Sequence, residues 1–383
     1  PGVSHKGPEA LRAELLERIR AGTPLADEEF DRLARAVFAH QYACNEPYRR
    51  FCERQGESPE TIPHWSAIPA VPTDAFKAAP LVCGGPSERH TVFRTSGTTQ
   101  GSARRGEHHF PDLTLYDAAL RGGFAAHLLP DGARPLLLAL IAPAHTQPDS
   151  SLSHMTSAVL EEFGAPGSRG FVAAEGMDTA ALERALRAAE ASGTPVCLLG
   201  TSFAFVHWLD DLRASGRRFR LPPGSRIMDT GGFKGRSREV GREELYAGWK
   251  EQLGVGAAWC VNEYGMTEMS SQFYDAMAGR GATAGEPRSY LAAPWVRSRA
   301  VDPETLRSLA AGEVGVMRHW DLANLHSVAA IQTADLGVSS GDGFRLLGRA
   351  SGAEARGCSL AMEELLAALG ESLKGKRVRL GPG

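Results

Sequence analysis

The sequence predicts an α/β protein whose sheet is largely parallel or mixed and flanked by helices. Three observations predict it. Short apolar runs of strand length alternate with amphipathic stretches of helix length through most of the chain. Clusters rich in Gly, Ser and Thr directly follow several of those runs, where ligands bind beyond the carboxyl ends of strands. Gly (43 residues) and Pro (23) are spread along the chain and so punctuate many turns rather than one linker.

In order, Leu11, Leu15, Leu16 and Ile19 fall on one face of a helix that Pro8 opens. Phe30, Leu33, Ala34, Val37 and Phe38 repeat the pattern, so residues 1–55 read as a helical cap. A Pro-rich connector runs from Ile62 to Pro80. Strands are predicted over Thr91–Thr95, Leu136–Ala142, Val196–Leu199, Arg226–Asp229, Ala257–Val261 and Ala329–Thr333. Helices are predicted over Leu113–Leu128, Leu152–Phe163, Thr179–Ala191, Phe203–Ala214, Arg238–Leu253 and Ser359–Leu369. The expected domains are the cap (1–55), a core (56–348) and a C-terminal segment (349–383) too short for an independent domain.

The 383 residues are 43% hydrophobic and 23% charged, which supplies a sizeable core and excludes a largely disordered chain. A net charge of −3 excludes a global basic field drawn to nucleic acid. No apolar run approaches the roughly 20 residues of a membrane span, and the first residues hold no apolar leader-like stretch. The six cysteines are Cys44, Cys52, Cys83, Cys197, Cys260 and Cys358; without a Cys-x-x-Cys they give no zinc or redox motif. Free thiols in a reducing cytoplasm are expected. No His pair has zinc-ligand spacing on a helix, so no structural metal is expected.

Four segments carry candidate chemistry. Thr95-Ser96-Gly97-Thr98-Thr99-Gln100-Gly101 follows a predicted strand, and its hydroxyls and backbone N–H groups suit a phosphate cradle. Arg104 and Arg105 follow and add charge-assisted donors. Asn262-Glu263-Tyr264-Gly265-Met266-Thr267-Glu268 sets a ring for a base and a carboxylate for Mg²⁺ at a strand end. Met228-Asp229-Thr230-Gly231-Gly232 allows close backbone approach to a flat ligand. Thr333-Ala334-Asp335-Leu336-Gly337, with Leu347-Gly348-Arg349 after it, offers an Asp to ribose hydroxyls. Taken one at a time these are weak signals, since polar turns and strand ends commonly carry the same residues. Gly370–Arg377 almost spells a phosphate loop, but Arg377 replaces the hydroxyl and a helix precedes it, so it is rejected.

The joint order of these segments resembles the adenylate-forming superfamily of acyl-CoA synthetases, adenylation domains and luciferases. The segments Ile68–Lys77, Pro148–Met155 and Arg356–Leu360 look most like the LuxE-type acyl-protein synthetases. That resemblance implies an adenylate-forming fold with a truncated C-terminal subdomain. It implies ATP- and Mg²⁺-dependent activation of a carboxylic acid to an acyl-adenylate, then transfer to a thiol. Carried over, Thr95, Ser96, Gly97, Thr98 and Thr99 would wrap the β- and γ-phosphates. Gly231, Gly232 and Tyr264 would hold the adenine, with Gly265 and Met266 beside it. Thr267 would touch the α-phosphate, Glu268 would bind Mg²⁺, and Asp335 would hold the ribose near Arg349.

Two features depart from the superfamily. Gln100–Arg104 stands where a Pro-Lys-Gly ends the phosphate loop, and only 34 residues follow Arg349, where a lid with a catalytic Lys usually stands. By the resemblance, Cys358 would carry the acyl group as a thioester; Arg356 and a helix N-terminus would lower its pKa. His154, Ser150 and Gly200 are candidates to line the acid's pocket. A carrier protein or an acyl reductase is the natural partner. Transfer to coenzyme A or an amine, and a non-catalytic nucleotide-binding scaffold, are the alternatives.

Overall fold

The computed structural model describes residues 7–96, 105–231, 240–280, 288–341, 343–350 and 356–377. Gly97, Thr98, Thr99, Arg104 and Gly232 lie outside the described residues, and at Cys358 only the backbone helix is described. The chain divides into two compact units. One holds Pro1–Ala119, Met266–Ser271 and Ala292–Gly383; the other holds Leu120–Gly265 and Gln272–Leu291.

The first unit starts with the helices Pro8–Ala21, Asp27–Cys44 and Glu46–Arg54. Their periodic residues Leu11, Leu15, Ile19, Phe30, Leu33, Val37 and Phe38 are buried, as the spacing predicts. Asn45 ends one helix and caps the next, its side chain accepting from the Tyr48 N–H. The sheet of this unit is antiparallel: Val296–Val301, Val314–Asp321, Ala330–Ser340 and Gly343–Arg349, with Val71–Pro72 added in parallel to Ala330–Ser340. Trp65 stands edge-on to Trp320 (4.9 Å) and to Phe30 (5.5 Å), joining sheet and helices in one core. The C-terminal helix Arg356–Arg377 packs on Glu46–Arg54 and buries Ala361, Leu365 and Ala368.

The second unit is built on parallel strands: Cys260–Tyr264, Arg226–Thr230, Val196–Thr201 and Leu136–Leu140, in that spatial order. Phe273–Tyr274 pairs antiparallel with Cys260–Tyr264. Val196–Leu199 and all of Arg226–Thr230 are buried, and Val196–Leu199 reads as a continuous apolar run. Helices Ser151–Phe163, Thr179–Ser192, Ser202–Ser215 and Arg242–Leu253 connect and cover them. Arg226 is a charged residue buried inside the sheet. It is 1% exposed, grips Asp131 with both terminal nitrogens (2.9 and 2.8 Å) and donates to the Leu128 carbonyl, so its charge is fully partnered.

Several expectations need correction. Ala257–Trp259 is a 3₁₀ turn and the strand begins at Cys260, because the Trp259 N–H closes back on the Gly256 carbonyl. The Arg238–Leu253 helix begins at Arg242, with Gly241 as its extended N-cap residue. The last helix runs to Arg377, so the near-phosphate-loop Gly370–Arg377 is helical. Strands Val296–Val301 and Val314–Asp321 were not expected. Cys44 and Cys83 are not free thiols: they are bonded, their Cα atoms 4.6 Å apart. The Gly84 N–H donates to the Cys44 carbonyl (2.9 Å), which brings the loop onto the helix end. Cys52, Cys197 and Cys260 are free and buried.

Candidate active site

In the first unit, the hairpin Thr91–Arg94 with Glu107–Phe110 carries the predicted phosphate loop at its tip. The loop's neck is closed by Thr95: its N–H donates to the Gly106 carbonyl and its Oγ1 accepts the Gly106 N–H (2.9 Å). Arg105 donates to the carbonyls of Thr95 and Arg94, so its guanidinium braces the neck. Ser96 follows at the last described position before the loop.

Met266, Thr267 and Glu268 lie in the short segment that this unit takes from the middle of the chain. His108 Nδ1 donates to the Thr267 carbonyl (2.8 Å) and Asn324 Nδ2 donates to the Glu268 carbonyl (2.8 Å). Behind them, the Asp321 carboxylate accepts the N–H groups of Ser270 (3.0 Å) and Ser271 (2.8 Å). The turn is therefore fixed from both sides. Burial pushes the Glu268 carboxyl up to about 7; nearby Asp74 pushes the same way, while Lys77 and Arg349 oppose it. Lys77 is itself paired with Asp74 at 2.7 Å. Burial holds His108 down near 3, so it is neutral and its Nδ1–H is available to donate. Asp335 and Arg349 face each other across adjacent strands and form an ion pair at 3.1 Å.

In the second unit, the ends of the parallel strands are tied by a buried polar network. Register places Gly200 beside Asp229 and Asp229 beside Asn262. Ser202 Oγ lies 2.7 Å from Asp229 Oδ2 and 2.9 Å from the Gly231 carbonyl; Asn262 Nδ2 donates to Asp229 (2.8 Å). Tyr290 donates to Asn262, and Arg242 donates to both Tyr290 and Asp275. Gly231 turns the chain with φ +72, a conformation that side chains with a Cβ rarely adopt. Tyr264 is half-buried, its ring 5.6 Å from Tyr290 and 5.8 Å from Phe273, and Gly265 beside it is exposed. Ser150 caps the helix Ser151–Phe163, its Oγ accepting the Ser153 N–H, and His154 is half-buried one turn on.

His108, Asn324, Asp321 and Ser202 were not singled out as site residues from sequence. Each acts through a backbone or side-chain partner distant in the chain, which no local pattern shows. The weak signals were an Asp-x-x-Asn at a strand end and a His-His beside the loop.

With this geometry in place, comparison with known proteins decides the family. The model of the family described as acyl-protein synthetase, LuxE, matches residues 25–367. The chain belongs to this family. A long-chain-fatty-acid–luciferin-component ligase of Vibrio harveyi is 22% identical over 375 residues, covering 94% of this chain and 95% of that protein. The ligase of the same name from Aliivibrio fischeri is 22% identical over 356 residues, covering 88% of each. Among solved structures, 2-hydroxyisobutyryl-CoA ligase with 2-HIB-AMP in the postadenylation state superposes with TM-score 0.58 at 17% identity, covering 86% of this chain and 69% of that one. Against ATP-bound MatB from Rhodopseudomonas palustris the TM-score is 0.46 at 16% identity, and this LuxE-family chain spans 47% of that protein. The 2-hydroxyisobutyryl-CoA ligase likeness carries the fold alone, a mixed α/β architecture.

Proposed function

We propose that this LuxE-family chain activates a carboxylic acid with ATP and passes the acyl group to a thiol. In the first step the acid's carboxylate oxygen attacks the α-phosphorus and pyrophosphate leaves. In the second a thiolate attacks the acyl carbon and AMP leaves. The family match over residues 25–367 carries this reading, and the fixed Thr267–Glu268 turn supports it. No general base is required, since a carboxylic acid is ionised near neutral pH. The site's task is to neutralise charge where one anion meets another.

Glu268 fits a hard divalent cation. It is an oxygen donor, 7% exposed; burial raises its pKa, and the charge of a cation beside it would favour the ionised form. Mg²⁺ bound there would screen phosphate charge in the transition state. Of the chain's own groups, Thr267 would donate to the α-phosphate and Thr95 with Ser96 would begin the phosphate loop that Gly97, Thr98 and Thr99 complete. Gly231, Gly232, Tyr264, Gly265 and Met266 would line the adenine, and Asp335, aligned by Arg349, would accept from the ribose. Ser150, His154 and Gly200 remain our candidates on the acid's side. Functionally we divide the chain into a helical cap (1–55), a core (56–348) and a short C-terminal segment (349–383).

Cys358 is our candidate acceptor. It is the third residue of the helix Arg356–Arg377, where the helix dipole favours a thiolate. An acyl reductase or a carrier protein is the partner class that would draw on such a thioester. Among the described residues no helix is long and apolar enough to cross a membrane.

The test is carboxylate-dependent ATP–pyrophosphate exchange with fatty, aryl and amino acids in Mg²⁺. Exchange with one acid class is expected, falling on the order of a hundredfold in Glu268→Ala. Cys358→Ala should keep exchange and lose the hydroxylamine-sensitive acyl label on the protein. ATP binding absent from wild type would end the adenylation reading, and a Cys358→Ala chain labelled like wild type would end the thioester one.

A further inference from the structure

The corner around Cys83 is not used by the mechanism above, yet it is a built cluster of metal-ligating atoms. His40 and Cys44 stand one turn apart on the helix Asp27–Cys44 and so share a face. His40 Nε2 lies 3.6 Å from Cys44 Sγ and 3.7 Å from Cys83 Sγ, and all three ligand atoms lie within 4.8 Å of one another. His326 stands next to them, its ring edge-on to His40 at 6.4 Å. Its Nε2 is buried and has no hydrogen-bond partner among the described residues.

The frame that carries these groups is fixed independently of the sulfurs. The Cys83 N–H donates to the His326 carbonyl and the Gly84 N–H to the Cys44 carbonyl, both at 2.9 Å. Ser327 Oγ donates to the Leu81 carbonyl (2.6 Å), and Asn45 Nδ2 to the Ser327 carbonyl (3.1 Å). Gln41 donates to the carbonyls of Asn324 and Leu325. Three segments distant in sequence are thus joined by backbone-directed bonds, and Gly84 and Gly85, at φ +76 and +82, turn the chain sharply after Cys83. Opening the sulfur–sulfur bond leaves two thiols and an imidazole converging on one point. Two thiolates with imidazole nitrogen are the donor set of tetrahedral zinc sites, and hard cations such as Mg²⁺ do not match it.

We propose that reduction of the Cys44–Cys83 bond converts this corner into a Zn²⁺ site, with Cys44 Sγ, Cys83 Sγ and His40 Nε2 as ligands and His326 as the neighbouring fourth donor. A dithiol reductant supplies two electrons and two protons and closes to its own cyclic disulfide. The S–S bond breaks to two thiols, and Zn²⁺ then displaces both thiol protons to solvent. In the reverse direction a disulfide oxidant takes up two electrons and two protons as the Cys44–Cys83 bond re-forms, which releases the ion, so disulfide and metal site are exclusive states of one corner.

The test titrates Co²⁺, then Zn²⁺, into the full chain reduced and held without oxygen. One equivalent of Co²⁺ should give thiolate-to-cobalt absorption in the near ultraviolet and tetrahedral d–d bands, and Zn²⁺ should bleach them. The oxidised chain should show neither band. Cys44→Ser and Cys83→Ser should each weaken the charge-transfer band to about half by removing one of the two thiolates, the double variant should lose it, and His40→Ala should shift the d–d bands by removing a nitrogen ligand. A measurement free of variants is alkylation of the reduced wild type by iodoacetamide, mapped by peptide mass spectrometry. Zn²⁺ should protect Cys44 and Cys83. Absence of the bands in reduced wild type, their persistence in the Cys44→Ser/Cys83→Ser double variant, or alkylation of both cysteines unaffected by Zn²⁺ would overturn the proposal and leave the corner a disulfide clip.

Discussion

Glu263 is a carboxylate held where charge is costly. It is 4% exposed, Thr230 donates to it, and burial pushes its pKa from 4.5 up to about 7. The folded chain therefore binds a proton between those values that the unfolded chain has released. Stability from this group is whole below about pH 4.5 and is lost as pH rises to about 7. Gln keeps the shape and still accepts from Thr230 without the charge. Glu263→Gln should gain on the order of 3 kcal/mol at about pH 8 and almost nothing near pH 4. Denaturant titrations at the two pH values check this; an equal gain at both would show that desolvated charge is not the cause. At this scale Thr267 and Glu268 are legible as a hydroxyl and a carboxylate after a strand. His108 and Asn324 were not, because what they do is defined by carbonyls 159 and 56 residues away.

Among elements, Val196–Thr201 and the helix that follows it meet at Gly200. A Cβ there would lie 2.7 Å from Phe205 Cε2 and 3.0 Å from its Cζ. Phe205 cannot easily give way, since its ring is edge-on to buried Trp249 at 5.2 Å. Gly200→Ala should therefore cost about 1–3 kcal/mol through overpacking, read as a lower denaturation midpoint, and an unchanged midpoint would show that the helix can slide. The parallel strands Leu136–Leu140 and Val196–Thr201 of this unit were legible because they are buried and read as apolar runs. Val296–Val301 and Val314–Asp321, antiparallel strands of the other unit, were not. The buried face of Val296–Val301 includes Ser298, whose partner is His319 (2.7 Å), and its half-buried Arg297 and Arg299 lie over Phe30 and Trp65. A polar residue inside and arginines flattened on aromatic rings hide the alternation that marks a half-buried strand. The Cys44–Cys83 bond was equally hidden, because a pair so far apart in sequence has no local spacing to read.

Across the whole molecule, two sets of buried groups tilt stability in opposite directions. Burial pushes His40, His127 and His326 down, and His108 and His319 to about 3. The unfolded chain protonates these groups from about pH 6.5 downward while the folded chain does not, so their stability is whole above 6.5 and is lost toward 3. The buried acids run the other way: Asp229 is pushed up to about 6, and Glu263 and Glu268 to about 7. Their contribution falls as pH rises through the same window. The opposed slopes predict a broad plateau in the thermal midpoint from about pH 5 to 8 rather than a sharp optimum. Below about pH 4 the acids no longer compensate. Asp131, held down near 2 by the bidentate Arg226, then begins to lose its own contribution, so the midpoint should fall steeply. Calorimetry across a pH series checks the wild type, and Glu263→Gln supplies the contrast. With one descending slope removed, its midpoint should climb through the window where the wild type is flat. A wild-type midpoint that itself climbs steeply there would mean that the histidines dominate and that the acids are better solvated than their burial implies.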